Sequence, residues 1–571
     1  MSIEHLKVPP EKLTVVCDPA DLGFETTDEI APAESPIGQE RAISAMELGL
    51  DIEQKAGFNM LVSGRLGSDR NQALKSIIDR IAATKPKAAG LGYVYNFADS
   101  SQPQAIMLPG GMVSELRTDM DETISTCRRE VSRLFEREDY TESIDRVRND
   151  FLARHKTIDG ELQTALYAAG LTLEFSETGP TFPAMRDGRK MTPGELESLS
   201  DKKRVRLTKD KYDSEQLLAR WQVGKRKLHE EETAKVGSIN QGVVSYTITP
   251  MIKALLEKYC DTSGTHSSEA MRIYLEAVQS DVIENSSEFE SEDDEHWGRY
   301  RVNVLVDNLN PEHAPVVFDY SPTYHNLFGR IDHKYPNAPT DDFMLIKPGS
   351  LHRANGGYLV LQARDLRNDP WAWDTLKRTL RSRQLQIENR GEKDAPLPSS
   401  TIRPETIPIN IKIIVVATPD DLWELRVSDK EFDSYFKVIA ELDWRMARTP
   451  ENIQKYASFV SATVQSSGLH PFDKTAVARL VDYSSRLAER QNKLTTIFQD
   501  IVDIITEANY WAAAKKHGTV TREDVVKTIE QRKYRGGLGK DFSQENIEEG
   551  SVHIDTEGSK VGQIFMAGQI L

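Results

Sequence analysis

Two hydrophobic patterns alternate along the first hundred residues. The stretch GQERAISAMELGLDI repeats apolar residues at helical spacing, and FNMLVSG is an apolar run with the length of a buried strand. RNQALKSIIDRIAA returns to helical spacing, and GYVYNF, from Gly92 to Phe97, predicts a second strand. A strand, a helix and a strand in this order predict a parallel sheet.

A long charged segment then interrupts the sheet pattern. From Met112 to Ala169, and again from Ser214 to Phe289, apolar residues keep helical spacing and most other positions are charged. Such charges are typical of the solvated faces of long helices. The sequence therefore predicts a helical, coiled-coil-like insertion over 112–295, with a small Gly- and Pro-rich unit near 176–200.

Strand patterns return after the insertion in YRVNVLVDN, GGYLVLQA, INIKIIVVAT and FKVIAEL, and the chain after Pro450 shows four helical patterns. This order predicts an α/β parallel-sheet domain whose insertion lies between its second and third strands, followed by an all-α lid. The predicted units are a lead-in (1–36), the two parts of the α/β domain (37–111 and 296–449), the insertion (112–295), the lid (450–540) and a final segment (541–571).

Composition excludes several function classes. The formal charge of the 571-residue chain is -17, which disfavours nucleic acid as a partner because a phosphate backbone needs a basic surface. The three cysteines lie too far apart for a disulfide framework or a zinc motif, and the histidines His325, His333 and His352 match no metal-ligand spacing. With no apolar membrane span or signal segment, we expect a cytoplasmic protein that binds neither membrane nor metal.

The stretch LVSGRLGSDRN is close to a phosphate-binding loop of the form G-x-x-x-x-G-K-[ST]. In that register Gly64 fills the first glycine position, with Gly67 inside the loop. Asp69, Arg70 and Asn71 replace the second glycine, the lysine and the hydroxyl residue.

Each replacement weakens the expected chemistry. Asp69 brings a carboxylate towards phosphates, Arg70 lacks the compact charge of lysine, and Asn71 offers an amide in place of a Mg²⁺-binding hydroxyl. At the end of the strand GGYLVLQA, Gln362 stands where a second acidic Mg²⁺ ligand is expected. We therefore expect no cofactor; the alternative is a divergent site that still binds ATP and Mg²⁺.

Several stretches resemble the AAA+ portion of Lon-like proteases: PIGQERAISAMELGLDIEQKAGFNMLVSG, PTYHNLFGRIDH, LIKPGSLHRANGGYLVLQARDL and YFKVIAELDWRMARTPENIQKYASFV. The chain is most similar to the bacterial branch with a long helical insertion, and its decayed loop is similar to the ATP-independent LonC type. The resemblance implies a homo-oligomeric ring, of six subunits in this family, that admits unfolded or damaged polypeptides to a chamber.

The family also carries a protease domain with a serine-lysine dyad. The segment that opens this domain resembles VGQI at Val561–Ile564, and the sequence ends at Leu571, so no catalytic residue is assigned and the domain is expected to be truncated. The resemblance favours a non-hydrolysing substrate-handling and oligomerisation module of a Lon-like serine peptidase. The alternatives are an ATP-binding unfoldase and a regulatory partner without protease activity.

Two further sets of residues follow from the resemblance. Phe328, Gly329 and Arg330, in NLFGRI, are expected on a loop that faces the substrate channel, with Phe328 as an apolar contact for the polypeptide; a buried Phe328 is the alternative. Arg445 and Arg448, after the last strand, are candidates for contacts between subunits.

Overall fold

The computed structural model describes the following residues: 7–9, 13–33, 37–52, 57–176, 179–260, 266–290, 295–309, 313–332, 342–388 and 402–552.

The α/β domain begins with α1 (Glu40–Asp51), β1 (Met60–Ser63) and α2 (Arg70–Ala82). All four residues of β1 are buried, as expected for a central strand covered on both faces. Two further strands follow, β2 (Gly90–Val94) and β3 (Gln104–Leu108), which pair antiparallel with each other.

The insertion is built from long helices around a small tip unit. Its α6 spans 60 residues, which corresponds to about 90 Å at 1.5 Å per residue. Buried apolar residues of α3, α6 and α7 form one core at the base of the insertion, and residues of α4 and α6 form another at the tip. The elements are α3 (Met112–Phe135), α4 (Glu138–Ala168), β4 (Glu174–Ser176), β5 (Gly179–Thr181), β6 (Met185–Arg186), β7 (Arg189–Lys190), α5 (Pro193–Glu197), α6 (Asp201–Cys260) and α7 (His266–Glu284).

The α/β domain resumes after the insertion with strands and helices in alternation. These elements are β8 (Val302–Val306), β9 (Val316–Asp319), α8 (Tyr324–Phe328), β10 (Arg330–Ile331), β11 (Ile346–Lys347), α9 (Ser350–Arg353), β12 (Tyr358–Gln362), α10 (Ala363–Arg367), α11 (Pro370–Ser382), β13 (Gln384–Leu385), β14 (Ile407–Pro408), β15 (Lys412–Ala417), α12 (Pro419–Ser428), α13 (Phe432–Tyr435) and β16 (Val438–Glu441).

Five strands form the parallel sheet, in the order β16-β1-β15-β12-β9. This confirms the α/β parallel-sheet fold with a helical insertion. The predicted place of the insertion in the sheet is wrong, because β2 and β8 pair antiparallel in a separate sheet with the order β3-β2-β8. The insertion therefore separates the first strand of the parallel sheet, β1, from the second, β9, a strand that the sequence pattern did not predict.

The lid is helical, as predicted, and the lead-in packs against it. Cys17, Leu22 and Phe24 lie in the lid core, and the Ser461 hydroxyl donates to the Thr27 carbonyl oxygen. The lid elements are β17 (Arg445–Ala447), α14 (Pro450–Ser467), α15 (Lys474–Leu487), β18 (Lys493–Thr495), α16 (Phe498–Ala514), α17 (Arg522–Gly536) and α18 (Leu538–Glu548).

Candidate functional site: a loop closed by its own side chains

The candidate site lies at the carboxyl ends of the parallel strands, where β1 turns into α2. Gly67 has a left-handed backbone (φ 80°), and a Cβ atom there would lie 2.9 Å from Cγ2 of Ile497. Glycine is therefore required by conformation and by close packing of the loop on the lid. The Gln499 backbone N–H also donates to the Gly67 carbonyl oxygen at 3.3 Å, so the lid holds the loop directly.

Arg70 bridges two strands of the sheet. Its Nη1 donates to the carbonyl oxygens of Gly64 and Ala417, both at 2.7 Å. These two oxygens lie just after β1 and at the end of β15, so the guanidinium joins the neighbouring strand ends. The positive charge predicted to substitute for the phosphate-binding lysine is directed into the protein's own backbone.

The two residues that replace the expected Mg²⁺ ligands, Asn71 and Gln362, contact each other. Nε2 of Gln362, at the end of β12, donates to Oδ1 of Asn71 at 3.2 Å. Both groups are neutral amides, whereas Mg²⁺ sites in nucleotide-binding proteins use a hydroxyl and a carboxylate oxygen. The arrangement offers no anionic oxygen at this pair of positions.

Asp69 takes a left-handed conformation (φ 51°) at the N-cap position of α2, and its side chain makes no capping hydrogen bond. Partial desolvation of the carboxyl group raises its pKa. Within the described part of the chain the carboxylate has no ion-pair partner, and the N-terminus of α2 is the structural position at which phosphates usually bind. A phosphate bound there would lie beside the Asp69 carboxylate, and the two negative charges would repel each other.

A cavity of about 470 Å³ separates the start of α2 from the lid. Phe459 and Phe498 contribute apolar walls, and Ser68 and Gln72 contribute polar ones. Asp69 is the single charged residue among the described residues that line it. A polyphosphate in this cavity would therefore face a net negative wall.

Asp421 belongs to the same site, although the sequence analysis did not select it. It caps α12, where its carboxylate accepts hydrogen bonds from the N–H and hydroxyl of Thr418. Burial alone would raise the pKa of Asp421, but these hydrogen bonds and the nearby charges of Arg367 and Arg70 lower it. The capping-box spacing Thr418-x-x-Asp421 directly after an apolar strand is the sequence signal that identifies it.

The predicted channel-loop residues lie elsewhere, around α8. Phe328 is fully buried, and its ring packs against Tyr324 with a centroid distance of 5.1 Å. It is therefore not available as an exposed contact for a polypeptide, and the buried alternative is correct. Gly329 (φ 82°) is tightly packed, since a Cβ atom would lie 2.4 Å from the Lys347 carbonyl oxygen. Arg330 is exposed and pairs with Asp332 at 2.7 Å, and the assignment of this loop to a channel stays a prediction.

The remaining candidates have structural surroundings. His352 is completely buried and its Nδ1 accepts the Gly349 N–H, His325 is exposed, and His333 lies outside the described residues. Among the residues searched, no group of His, Cys, Asp and Glu could hold a metal ion. Arg448 forms a buried ion pair with Asp482 at 3.0 Å inside the lid. Its side chain is therefore not available for the predicted contact between subunits. Arg445 stacks on Trp444, 4.0 Å from the ring centroid.

Comparison with known proteins matches three parts of the chain to family models. The models are the LonB-like AAA domain (312–443), the archaeal LonB AAA+ ATPase lid domain (471–535) and the Lon-like LonC helical domain (91–123). In the described segments, no helix has the length and apolar character needed to cross a membrane.

Curated relatives carry Lon protease names. A putative Lon protease homolog of Escherichia coli K12 is 25% identical over 38% of this chain and 36% of its own length. The archaeal Lon protease of Archaeoglobus fulgidus is 24% identical over 46% of this chain and 42% of its own length. The archaeal Lon protease of Pyrococcus abyssi is 24% identical over 39% of this chain and 22% of its own length. The chain thus matches less than half of the length of each relative. Together with the domain models, these relatives show that the α/β domain, the lid and the start of the insertion are similar to those of Lon-like proteases.

Proposed function

We propose that this chain is the non-hydrolysing substrate-handling and oligomerisation module of a Lon-like serine peptidase that acts in the cytoplasm. The similarity of the AAA and lid segments to Lon-like proteases supports a role in protein degradation. The observation that carries the absence of ATP hydrolysis is the engagement of Arg70 with the carbonyl oxygens of Gly64 and Ala417. The cation required by a phosphate-binding loop is already used as a structural bridge.

The other departures act in the same direction. Phosphate binding at a helix N-terminus depends on backbone N–H groups and a positive electrostatic potential. Asp69 reduces that potential, and the hydrogen bond between Gln362 and Asn71 links the two groups that would otherwise orient the metal. Loss of the cation, the metal ligands and the electrostatic potential together leaves little driving force for binding Mg-ATP.

The α/β domain and the lid keep well-packed cores although the phosphate-binding residues of the loop are replaced. The parallel sheet has buried apolar residues on both faces, and the lid has its own core. In this family, such modules form rings that admit polypeptides. We infer that assembly of this chain into a ring, of six subunits by resemblance, does not require nucleotide.

The cavity of about 470 Å³ between loop and lid favours a second candidate function, an ATP-binding unfoldase with a divergent site. Its apolar walls, Phe459 and Phe498, are compatible with a planar base even though Asp69 opposes the phosphates. A regulatory partner without protease activity is the third candidate, since the α/β domain and the lid keep packed cores while Asp69, Arg70 and Asn71 depart from a phosphate-binding loop.

A steady-state ATPase assay and light scattering without nucleotide test the proposal together. We expect no turnover above background and an oligomer at micromolar concentration. An ATP turnover of about 1 per second lies within the usual range of enzymes. Such a turnover, if Arg70→Ala abolishes it, would contradict the non-hydrolysing assignment. A strict monomer, with or without ATP, would contradict the ring.

A further inference from the structure

The tip of the insertion carries a positive charge that contrasts with the rest of the molecule. Between Met185 and Lys211 the sequence holds nine Lys and Arg residues against five Asp and Glu, whereas the whole chain has a net charge of -17. Six of these cations lie in the first three turns of α6, and we call three of them, Lys202, Arg206 and Lys209, the basic tip.

The three cations lie on one face of α6. Their spacing of four and three residues brings side chains to the same side of an α-helix, and the row extends over about 10 Å. Lys202 and Lys209 are exposed and have no ion-pair partner within the described segments. Arg206 is 84% exposed, and its Nε lies 3.9 Å from the nearest oxygen of Asp210, a weak contact. Their charges are therefore mostly available to a partner.

Exposed apolar side chains flank the row. Val205 is 71% exposed and Tyr212 is 61% exposed on the adjacent side of the same helix. Tyr167 and Phe175, in neighbouring elements of the tip, are 83% and 69% exposed. A surface that combines cations with uncovered large apolar groups differs from an ordinary solvated helix face, which is polar.

The tip is a folded platform rather than a loose end. Leu162 and Leu166 of α4 pack with Leu171, Phe182 and Leu218 in a core of their own. This core orders the start of α6 and holds the basic tip on a defined surface, at the opposite end of a 60-residue helix from the insertion base.

We propose that the basic tip captures acidic segments of unfolded polypeptides that also carry apolar side chains. The inference rests on the proposed function as a substrate-handling module and specifies its substrate class. An extended chain advances about 3.3–3.6 Å per residue, so acidic side chains on alternate residues reach successive cations of the row. The apolar groups beside the row fit a polypeptide, because the outer surface of a phosphate backbone has no apolar side chains to cover them.

Fluorescence anisotropy with the full chain tests this inference. The probes are a labelled unfolded peptide rich in Glu and Leu, and a matched peptide with Gln in place of Glu. The variant Lys202→Gln/Arg206→Gln/Lys209→Gln removes the basic tip. The control Arg146→Gln/Arg148→Gln/Lys156→Gln removes three exposed cations of α4, and circular dichroism verifies that both variants keep their helix content.

We expect the tip variant to bind the acidic peptide about tenfold more weakly, because three ion pairs are lost and each exposed pair contributes little by itself. The control variant should change the affinity for this peptide by less than about twofold. The wild-type affinity should also fall as salt is raised. Equal loss in both variants, or equal binding of the Glu and Gln peptides, overturns the inference but leaves substrate handling intact. Stronger tip-dependent binding of a duplex oligonucleotide or of anionic lipid vesicles also overturns it. Failure of every unfolded chain to bind would instead contradict the proposed function.

Discussion

Arg70→Ala is the substitution that most directly examines how the loop is held. The wild-type guanidinium joins the ends of two neighbouring strands through hydrogen bonds of 2.7 Å to the oxygens of Gly64 and Ala417. Hydrogen bonds to charged donors contribute about 1.5–3 kcal/mol each. Since Arg70 is only half-buried and water can reach the released oxygens, we expect a total loss of about 2 kcal/mol in the free energy of unfolding.

This loss should be visible as a lower thermal midpoint of the α/β domain. For a domain of 150–250 residues, 1 kcal/mol corresponds to about 2–4 °C, so the expected decrease is about 4–8 °C in scanning calorimetry. Arg80→Ala is the matched control on the same helix. Arg80 pairs with Glu47 at the surface, where both side chains are largely exposed, so its removal should cost less than about 1 kcal/mol.

Arg70→Lys separates the charge from the geometry. Lysine keeps a positive charge but lacks the planar fork that reaches two carbonyl oxygens from one side chain. We expect an intermediate loss of stability. If Arg70→Ala melts like the wild type, or no differently from Arg80→Ala, the guanidinium does not act as a structural bridge and the reasoning about the loop is refuted.

Two further predictions concern buried groups outside the loop. Phe328→Ala should lower the free energy of unfolding by about 3–5 kcal/mol, because the phenyl group is fully buried. The control Arg330→Ala removes an exposed side chain and should cost less than about 1 kcal/mol. A Phe328→Ala variant of normal stability that loses only polypeptide binding would show that the phenyl group is accessible. Burial, with a smaller contribution from Arg353, lowers the pKa of His352 to about 3, so the unfolded chain takes up a proton between pH 6.5 and 3 that the folded chain does not. The free energy of unfolding should therefore fall through this window by as much as about 4–5 kcal/mol. Calorimetry of His352→Gln should show a shallower pH dependence than the wild type. If the two pH dependences are the same, His352 is protonated in the folded state.

The central strands were predictable because a strand buried on both faces requires a continuous apolar run. Tyr358–Gln362 and Lys412–Ala417 satisfy this requirement and lie in the middle of the sheet. Val316–Asp319 was missed because it is a short edge strand of half-buried residues whose last position is charged. Gly90–Val94 was recognised as a strand but assigned to the wrong sheet, because hydrophobic pattern does not specify the pairing partner.

The candidate site shows the same limit. The departures at Asp69, Arg70 and Gln362 are visible in the sequence because a phosphate-binding loop has a fixed spacing. The bridge from Arg70 to Ala417 joins residues that are 347 positions apart, and it depends on the order of strands in the sheet. Likewise, the burial of Phe328 follows from how α8 packs, which a short motif does not reveal.

Calorimetric titration of Mg-ATP into the full chain tests the central claim most directly. The wild type should show no saturable heat up to about 1 mM nucleotide. The variant Asp69→Gly/Arg70→Lys/Asn71→Ser/Gln362→Asp, which restores each replaced group, should bind at least about tenfold more tightly. Wild-type binding with a Kd below about 10 μM, unchanged or weakened in this variant, would contradict the account of a loop whose nucleotide chemistry has been replaced by internal hydrogen bonds.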